Sequence, residues 1–467
     1  NSFQEMAGRI VMKISTVHRA ELSNRCRIDS SYYLSEGNIA TRLVEAAIRR
    51  SPRHIHLGDK EMVTVWQPNR NILVYAGDGE ESVPYLQPYD ILEFLPEPRA
   101  QLSSHKNPVD QLKVPSGTIL QTCSGRNLGP LVISDQYLES FVFGSDLMRI
   151  TIDDSDTRFY VYTFLSTWVG QALLHSSKTG SVIDHLSADD IRDLRIPIYG
   201  EKVFKDVSAL MKKSYELYSQ ARMELVRCKN EYCATIDSYK ATSPLRNGWN
   251  VSFRSIFNGN GTRIDAAYYD WTTRDAIEKL RTVGGVQLST GAKTHKPGGR
   301  NKTNYVEKEH GFPILSGRQL LQNQAVGLKY LPKSSSEKYS SFRLHKNWIA
   351  YPADGRVEGR LGTPVIITEN RDGWFASGHV GRIEANPDIH PGYLYLAFSH
   401  PIVQAQLSAV ACGSVVDAVY PEDVEKFILP PQVEFDYDRV TTAWEMISEA
   451  DSLKTEACQL LLQQMEQ

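Results

Sequence analysis

The stretch RIDSSYY occupies residues 27–33 of the chain, and a near copy, RIDAAYY, occupies residues 263–269. A second pair follows in the same order, with GSVID at residues 180–184 and GSVVD at residues 413–417, 233 residues apart. Self-similarity at a nearly fixed offset indicates a repeated structural unit. The sequence therefore predicts a duplicated protein.

The offset of 233 residues also aligns single positions between and beyond these stretches. One register that holds over some seventy residues is not expected by chance. The aligned pairs are Arg149 with Arg382, Tyr160 with Tyr393, Tyr162 with Tyr395, Gln171 with Gln404, Asp190 with Asp423, and Pro197 with Pro430. Gly125-Arg126 matches Gly355-Arg356 in the same way, with a three-residue insertion after it.

Each copy has the same order of predicted elements, which favours an α/β fold. Short β-like runs come first, then a helical stretch, the Gly-Ser turn, and a short strand that ends in proline. The β-like runs are residues 72–75, 131–133 and 365–367, the helical stretches are residues 160–174 and 393–407, and the closing strands end at Pro197 and Pro430.

Each copy ends in one long amphipathic helix, predicted over about residues 203–236 and 433–467. At 1.5 Å per residue, a helix of about 30 residues is roughly 45 Å long. A helix with one apolar stripe needs a partner, and the duplication favours the other long helix in a coiled coil over two unrelated surface helices. The stripe residues expected to pack are Val207, Leu210, Leu217, Ala221, Val440, Ala443, Ile447, Ala450, Ala457 and Leu461.

Length and composition limit the class of protein. The 467 residues are too many for one core, and 41% hydrophobic with 23% charged residues is typical of folded domains. Six scattered cysteines without paired metal spacing are typical of free thiols. No apolar run is long enough to span a membrane and no signal peptide is evident, so we expect a cytoplasmic protein without a membrane partner.

The order globule, long helix, globule, long helix resembles the specificity (S) subunit of type I restriction–modification systems. The resemblance covers nearly the whole chain, and each motif occurs twice in the same order. The residues that carry it are the Arg-Ile-Asp openings at Arg27 and Arg263, Gly-Ser-x-x-Asp at Gly180 and Gly413, the closures from Asp190 to Pro197 and from Asp423 to Pro430, and the Gly-Phe-Pro-Ile run from Gly311 to Ile314.

The resemblance implies two tandem α/β target recognition domains, at residues 1–200 and 241–432, each followed by a long helix, at residues 201–240 and 433–467. The helices would form an antiparallel coiled-coil spacer, and neighbouring major-groove faces 34–36 Å apart lie within reach of a helix of about 45 Å. Because the two domains differ in sequence, they would read an asymmetric, bipartite site.

The family likeness also implies partners. The chain would bind double-stranded DNA without catalysing a reaction, dock adenine-N6 methyltransferase subunits, usually two, and accommodate ATP-dependent restriction subunits in phage defence. It would hold no cofactor of its own, because S-adenosylmethionine belongs to the methyltransferase.

Local charge indicates where DNA would bind. The segment from Lys293 to Lys346 contains eleven basic and three acidic residues, in a chain of net charge −3. Cations neutralise phosphates, and the amides of Asn301, Asn304, Gln319 and Gln322 are of the type that pairs with adenine. A solvated surface is the alternative. The candidate DNA-binding residues are Lys293, Lys296, Arg300, Lys302, Arg318, Lys333, Arg343, Lys346 and Arg356, with Lys106, Lys113 and Arg126 in copy one.

Several repeated residues are assigned to structure. Arg263 and Asp265 are expected to fasten the entry segment, Asp417 to accept hydrogen bonds in a turn, and Ser187 to cap a short helix. The sequence lacks the Asn/Asp-Pro-Pro-aromatic motif of amino methyltransferases, a phosphate loop and paired metal-binding histidines.

Three other hypotheses about the function remain open. The chain could be the DNA-recognition subunit of a different phage-defence complex, an enzyme in its own right, or a scaffold that binds protein.

Overall fold

The computed structural model describes residues 34–51, 53–124, 129–176, 185–236, 248, 250–257, 263–297 and 304–466. The predictions on residues 27–33, 125–126 and 180–184 lie outside these ranges.

Short strands and helices alternate along the chain, and two helices are much longer than the rest. The elements of the first part are α1 (Glu36–Arg50), β1 (His54–His56), β2 (Val63–Trp66), β3 (Ser82–Leu86), β4 (Ala100–Ser103), α2 (Val109–Leu112), β5 (Ile119–Thr122), β6 (Leu131–Ile133), β7 (Val142–Phe143), β8 (Leu147–Ile152), α3 (Ser155–Ser166), α4 (Trp168–Ser176), α5 (Ala188–Arg192), β9 (Arg195–Pro197) and α6 (Gly200–Ile236).

The second part has elements of similar length. They are α7 (Phe253–Phe257), α8 (Trp271–Thr282), β10 (Val286–Gln287), α9 (Leu288–Gly291), β11 (Ala292–His295), β12 (Gly311–Leu315), α10 (Gly317–Leu320), β13 (Lys329–Pro332), β14 (Ile349–Pro352), β15 (Asp354–Gly355), β16 (Val365–Ile366), β17 (Phe375–Ala376), β18 (Val380–Ala385), α11 (Pro391–Ser399), α12 (Pro401–Val410), β19 (Asp417–Ala418), α13 (Pro421–Val424), β20 (Ile428–Leu429) and α14 (Asp438–Glu466).

The chain divides into two compact units. Unit 1 comprises Asn1–Val74, Ser103–Lys213 and Leu453–Gln467, and unit 2 comprises Tyr75–Leu102 and Ser214–Ser452. The segment Tyr75–Leu102 therefore groups with the second half of the chain, although it lies within the first copy of the sequence repeat.

Unit 1 is built on an antiparallel sheet with the order β2-β8-β5-β6. Every residue of β5 is buried, as expected of a central strand covered on both faces. Helix α3 contacts β6 and β8, and α1 packs against α4. Gly37 permits that approach, because a Cβ there would overlap the side chain of Ser176.

Unit 2 contains a sheet of the same topology, with the order β11-β18-β14-β16. Ile349 pairs with Ile383 in this sheet, as Ile119 pairs with Ile150 in unit 1. The separations along the chain, 230 and 233 residues, follow the offset of the sequence repeat. The repeated sequence thus encodes the same strand order twice.

The repeated arginines occupy the same position in the two sheets. Arg149 in β8 donates to the backbone carbonyls of Leu147, Phe143 and Leu112. Arg382 in β18 donates to those of Val380, Ala376 and Phe342. Burial without a carboxylate lowers the pKa of each guanidinium to about 10. Both arginines tie strands together and point away from solvent.

Two further repeated side chains make equivalent hydrogen bonds. The hydroxyl of Tyr160 donates to the carbonyl of Pro197 at 2.9 Å, and that of Tyr393 donates to the carbonyl of Pro430 at 2.7 Å. The amides of Gln171 and Gln404 donate to the carbonyls of the equivalent glycines, Gly129 and Gly362. Each helical layer is thus fastened to its closing strand and loop by the same contacts.

The long helices occur where the sequence predicts them. Helix α6 has 37 residues and α14 has 29. The residues of the predicted apolar stripe are shielded from solvent on both helices. Leu210 and Leu217 are half-buried, and the others are fully buried. The fully buried members are Val207, Ala221, Val440, Ala443, Ile447, Ala450, Ala457 and Leu461.

Within unit 2, the two long helices contact each other directly. The Ser214 hydroxyl of α6 donates to the carbonyl of Ala450 in α14 at 2.6 Å. Further along α6, Glu224 and Glu231 both accept from Arg439, at 2.7 and 2.6 Å. Small residues such as Ala443 and Ala450 allow this close approach, and they belong to the main core of unit 2.

Some local predictions need correction. Each predicted helical stretch is interrupted, at Thr167 and at His400, so that two helices form in place of one. Residues 72–75 form no strand, because their pairing is limited to an isolated bridge from Tyr75 to Leu102. Among the described residues, none of the helices combines the length and apolar character needed to cross a bilayer.

Other local predictions are confirmed. Residues 311–314 belong to β12, and Ser187 forms a capping box with Asp190 at the start of α5. Arg263 donates to the carboxylate of Asp265 at 2.9 Å and to the carbonyl of Val410 at 2.7 Å. The second Arg-Ile-Asp segment is therefore fastened to the end of α12, as expected of a structural motif.

Candidate nucleic-acid interface

A small second core in unit 2 supports a hairpin of strands β12 and β13. Phe312 pairs with Leu331 and Ile314 pairs with Lys329 across the hairpin, and β17 adds a parallel third strand. Leu331 and Ile314 are buried together with Tyr339, Phe342 and Phe375. Because side chains alternate along a strand, the residues between the buried ones point to solvent.

Five cations lie on this hairpin and its flanking segments, and we call them the cationic hairpin: Lys308, Lys329, Lys333, Lys338 and Arg343. Three of them lie over aromatic rings. The ammonium of Lys329 is 4.8 Å from the ring centre of Tyr305, that of Lys338 is 5.4 Å from Tyr339, and the guanidinium of Arg343 is 4.9 Å from Phe375. Such contacts orient a cation without neutralising it.

No carboxylate within the described part of the chain forms an ion pair with the cationic hairpin. Lys333 donates to the backbone carbonyl of Glu309 at 3.1 Å, which leaves its charge uncompensated. The neighbouring carboxylates of Glu307, Glu309 and Glu337 are exposed. Five cations against three carboxylates, interleaved with aromatic rings, give a surface that suits phosphate and base contacts.

Two of the predicted DNA-binding lysines are paired within the fold. Lys296 forms an ion pair with Asp354 at 2.6 Å, lies 5.0 Å from the ring centre of Tyr420, and has only 12% of its side chain exposed. Lys346 forms an ion pair with Glu369 at 2.9 Å, and that hydrogen bond raises the pKa of its ammonium. The charges of these two lysines, among the eleven cations between Lys293 and Lys346, are therefore compensated within the fold.

The amides of Gln319 and Gln322 are also engaged, which corrects their assignment as adenine-pairing groups. The carbonyl oxygen of Gln319 completes the capping box of Ser316, and its amide donates to Val326. Gln322 is buried and accepts from the backbone of Val326. Both amides hold the turn between α10 and β13, so they are not free to meet a base.

Arg318 and Arg356 line a cleft of about 740 Å³ in unit 2. The acids of this cleft are largely compensated, because Arg360 lies 2.7 Å from Glu93 and Lys296 pairs with Asp354. Arg318 lies 4.7 Å from the ring centre of Tyr89, and no described carboxylate pairs with either Arg318 or Arg356. Both guanidinium groups are exposed on the rim.

The segment 75–102 forms one wall of this cleft, which the sequence did not indicate. Phe94 packs edge-on against Trp444 at 5.2 Å and beneath the guanidinium of Arg371 at 4.5 Å. Arg222 donates to the carbonyls of Glu93 and Phe94 at 2.8 and 2.7 Å. Burial raises the pKa of Glu93 to about 7, and the ion pair with Arg360 only partly offsets that rise.

The remaining candidates are scattered. Lys293 in β11 is exposed, and so are Lys106 and Lys113 in unit 1. Arg126, Arg300 and Lys302 lie outside the described residues. The structure thus gathers Lys333 and Arg343 into the cationic hairpin and places Arg318 and Arg356 on the cleft rim.

Two observations concern metal-binding clusters and reactive thiols among the described residues. They include no group of three or more His, Cys, Asp or Glu side chains placed to hold a metal ion. Burial raises the pKa of the thiols of Cys123 and Cys458 to about 11, which disfavours a reactive thiolate.

Comparison with known proteins gives structural likenesses only. No protein-family model and no curated protein matches the sequence. The type I restriction–modification S subunit from M. genitalium is 12% identical, with 88% of this chain and 93% of that chain covered and a TM-score of 0.30. The HsdS subunit from Thermoanaerobacter tengcongensis is 10% identical, with 87% and 90% covered and a TM-score of 0.24.

A third similar structure aligns over a smaller share of both chains. The type IIG restriction endonuclease BpuSI is 12% identical, with 41% of this chain and 29% of that chain covered and a TM-score of 0.28. Over most of its length, the chain is thus similar, at low sequence identity, to S subunits of type I restriction–modification systems.

Proposed function

We propose that this chain is a non-catalytic DNA sequence-specificity subunit with two tandem target recognition domains that read an asymmetric, bipartite site. The observation that carries the proposal is the duplicated sheet with its buried arginines, Arg149 and Arg382, combined with exposed cations that differ between the copies. Two similar scaffolds with different reading surfaces suit two different half-sites.

The cationic hairpin is our candidate for the reading surface of the second copy. Its cations have no carboxylate partner within the described residues, and aromatic rings fix the positions of Lys329, Lys338 and Arg343. Phosphates compensate such charges with release of counterions, while guanidinium and aromatic groups contact bases. The matching strand of the first copy begins with Ala100 in place of Lys329, so that copy would read a different sequence.

The long helices would form the antiparallel coiled-coil spacer between the half-sites. In support, Ser214 on α6 contacts the later position Ala450 on α14, whereas the later Glu231 contacts the earlier Arg439, an order expected of antiparallel helices. A helix of 37 residues is about 55 Å long at 1.5 Å per residue, enough for half-sites one helical turn of DNA apart.

The partners would be two adenine-N6 methyltransferase subunits, with ATP-dependent restriction subunits joining them in defence against phage. S-adenosylmethionine would be held by the methyltransferase, and this chain would bind no cofactor. The complex would act on DNA in the cytoplasm.

The test is a genome-wide map of N6-methyladenine by single-molecule sequencing in the host with and without this gene. We expect methylation at one split, asymmetric motif to disappear on deletion and to return on complementation. An unchanged methylome would refute the methyltransferase role. DNA binding by the purified complex in that case would favour a reader for another defence complex, and its absence would favour a protein scaffold.

Charge removal tests the location of the interface. Joint replacement of Lys329, Lys333, Lys338 and Arg343 by alanine should lower the slope of log binding constant against log salt by about 3 to 4, at roughly 0.9 per phosphate. A matched control replaces lysines that already have acidic partners on their own helices. These are Lys205, paired with Glu201, and Lys279, paired with Asp275. An unchanged slope in the first variant would place the interface elsewhere.

A further inference from the structure

The second Gly-Ser motif forms a tight, exposed loop beside Arg356. Strands β15 and β19 pair in antiparallel fashion, and the backbone groups of Cys412 and Ala418 exchange two hydrogen bonds, of 3.1 and 2.9 Å, which close the loop between them. Glycine is required at position 413, because a Cβ there would overlap the carbonyl oxygen of Val416. The sequence of this loop therefore specifies its shape.

The loop is fastened to the segment that carries Arg356. The carboxylate of Asp417 accepts a hydrogen bond from the backbone N–H of Val357 at 3.2 Å. On the other side of Arg356, Asp354 is held by Lys296 and by His379. The two acids of strands β15 and β19, Asp354 and Asp417, thus have internal partners, and the exposed Glu358 forms no ion pair with Arg356 in the described part of the chain. The Arg356 guanidinium is left exposed with no described partner.

The tip of the loop consists of two exposed valines. Such exposure is unusual for apolar residues with a purely structural role. Val415 has 76% and Val416 has 54% of its surface accessible. Ser414 beside them is exposed as well. The Ser414 hydroxyl, the two valines and the Arg356 guanidinium therefore all face solvent, on the paired strands β15 and β19 or on the segments next to them.

The sequence repeats both parts of this ribbon in the first copy. Gly125-Arg126 matches Gly355-Arg356, and residues 180–184 match residues 413–417. The isolated bridge between Ser124 and His185 corresponds to the pairing of Asp354 with Ala418. By contrast, β13 of the cationic hairpin begins with Lys329, whereas β4, which neighbours β3 as β13 neighbours β12, begins with Ala100.

Residues that differ between the two target recognition domains are suited to contact the part of DNA that differs between the half-sites, which is the base sequence. Residues that are the same suit what is common to both, which is the sugar-phosphate backbone. We propose, on the basis of the proposed function, that Arg356 and the loop Gly413–Asp417 form a sequence-independent backbone clamp. The guanidinium takes a phosphate in bidentate fashion, and the two valines pack on deoxyribose.

The experiment uses the complete complex with its methyltransferase subunits and two probes, a duplex that contains the methylated motif and a duplex of scrambled sequence. Arg356→Ala should weaken binding to both duplexes by a similar factor, about tenfold, and lower the salt slope by about 1. The methylated motif should stay the same. Arg356→Lys should keep most of the salt slope but lose part of the affinity, because an ammonium cannot bind a phosphate in bidentate fashion.

Arg281→Ala serves as the matched control, since that exposed arginine is already paired with Glu278 at 2.6 Å and should leave affinity and slope unchanged. The joint variant Val415→Ser with Val416→Ser keeps the loop length and should weaken both duplexes alike. Far-ultraviolet circular dichroism of each variant checks that the fold is retained.

Three outcomes would overturn the clamp. Unchanged affinity and slope for Arg356→Ala would show that the guanidinium meets no phosphate. A relaxed motif at one base pair would make Arg356 a base reader. Loss of methyltransferase subunits from the complex of the valine variant, with DNA binding intact, would assign the loop to a protein partner. If the wild-type complex itself neither binds DNA nor methylates a motif, the proposed function fails instead.

Discussion

Replacement of Ile447 by alanine tests whether the buried face of α14 stabilises unit 2. Ile447 is 1% exposed and lies on α14 among Ala443, Trp444 and Ala450, all in the main core of unit 2. Truncation of a buried isoleucine to alanine costs about 3 kcal/mol when the surroundings cannot collapse, and truncation to valine costs about 1 kcal/mol. The regular backbone of a helix and the rings around Trp444 limit such collapse.

The assay is native-state hydrogen exchange of peptides that cover α14, because exchange reports the local free energy of opening. At 1.4 kcal/mol per decade, Ile447→Ala should lower the protection factors about 100-fold and Ile447→Val about fivefold. Thr442→Ala, at an exposed position of the same helix, should leave them unchanged or slightly raised. The reasoning would be refuted if Ile447→Ala changed protection by less than about threefold, since the side chain would then contribute little to the core of unit 2.

Three further predictions concern ionisable groups. Because burial raises the pKa of Glu93 from about 4.5 to about 7, the stability that Glu93 contributes to unit 2 should be complete below about pH 4.5 and fall by on the order of 3 kcal/mol as the pH rises to 7; urea unfolding should show this loss in Glu97→Gln and lack it in Glu93→Gln. Arg149→Met and Arg382→Met should each cost about 3 kcal/mol or more in their own units by hydrogen exchange, because buried carbonyls lose their donors; a large effect of one with none of the other would contradict their equivalence. Arg439→Ala should cost at most about 1 kcal/mol and less in 1 M salt, by urea unfolding in low and high salt, because its ion pairs are partly exposed; a salt-independent loss would indicate packing instead.

Local patterns in the sequence were sufficient for much of the fold. The 233-residue offset anticipated that Arg382 and Gln404 repeat the roles of Arg149 and Gln171, because equivalent residues in equivalent strands meet the same backbone groups. The apolar stripe placed α6 and α14 within a few residues of their ends. Both signals depend on periodicity along the chain, which a single sequence displays directly.

The candidate interface was only partly accessible from the sequence. The run of cations from Lys293 to Lys346 was visible, but Lys296 and Lys346 prove to be ion-paired, and the amides of Gln319 and Gln322 hold a turn. A count of charges cannot distinguish these residues from Lys329, whose only described partner is an aromatic ring. Whether a cation is available depends on which acid the fold brings within 4 Å of it.

The sequence by itself therefore determined the duplication, the strand and helix types and the long helices, because these follow from residue spacing and local propensity. Only the tertiary structure decided that the segment 75–102 groups with unit 2, where Glu93 meets Arg360 across 267 residues of chain. It also decided which cations have an acidic partner within the fold. The physical reason is that ion pairing and burial depend on distances in space. The sequence around a residue does not reveal which distant residue the fold will bring into contact with it.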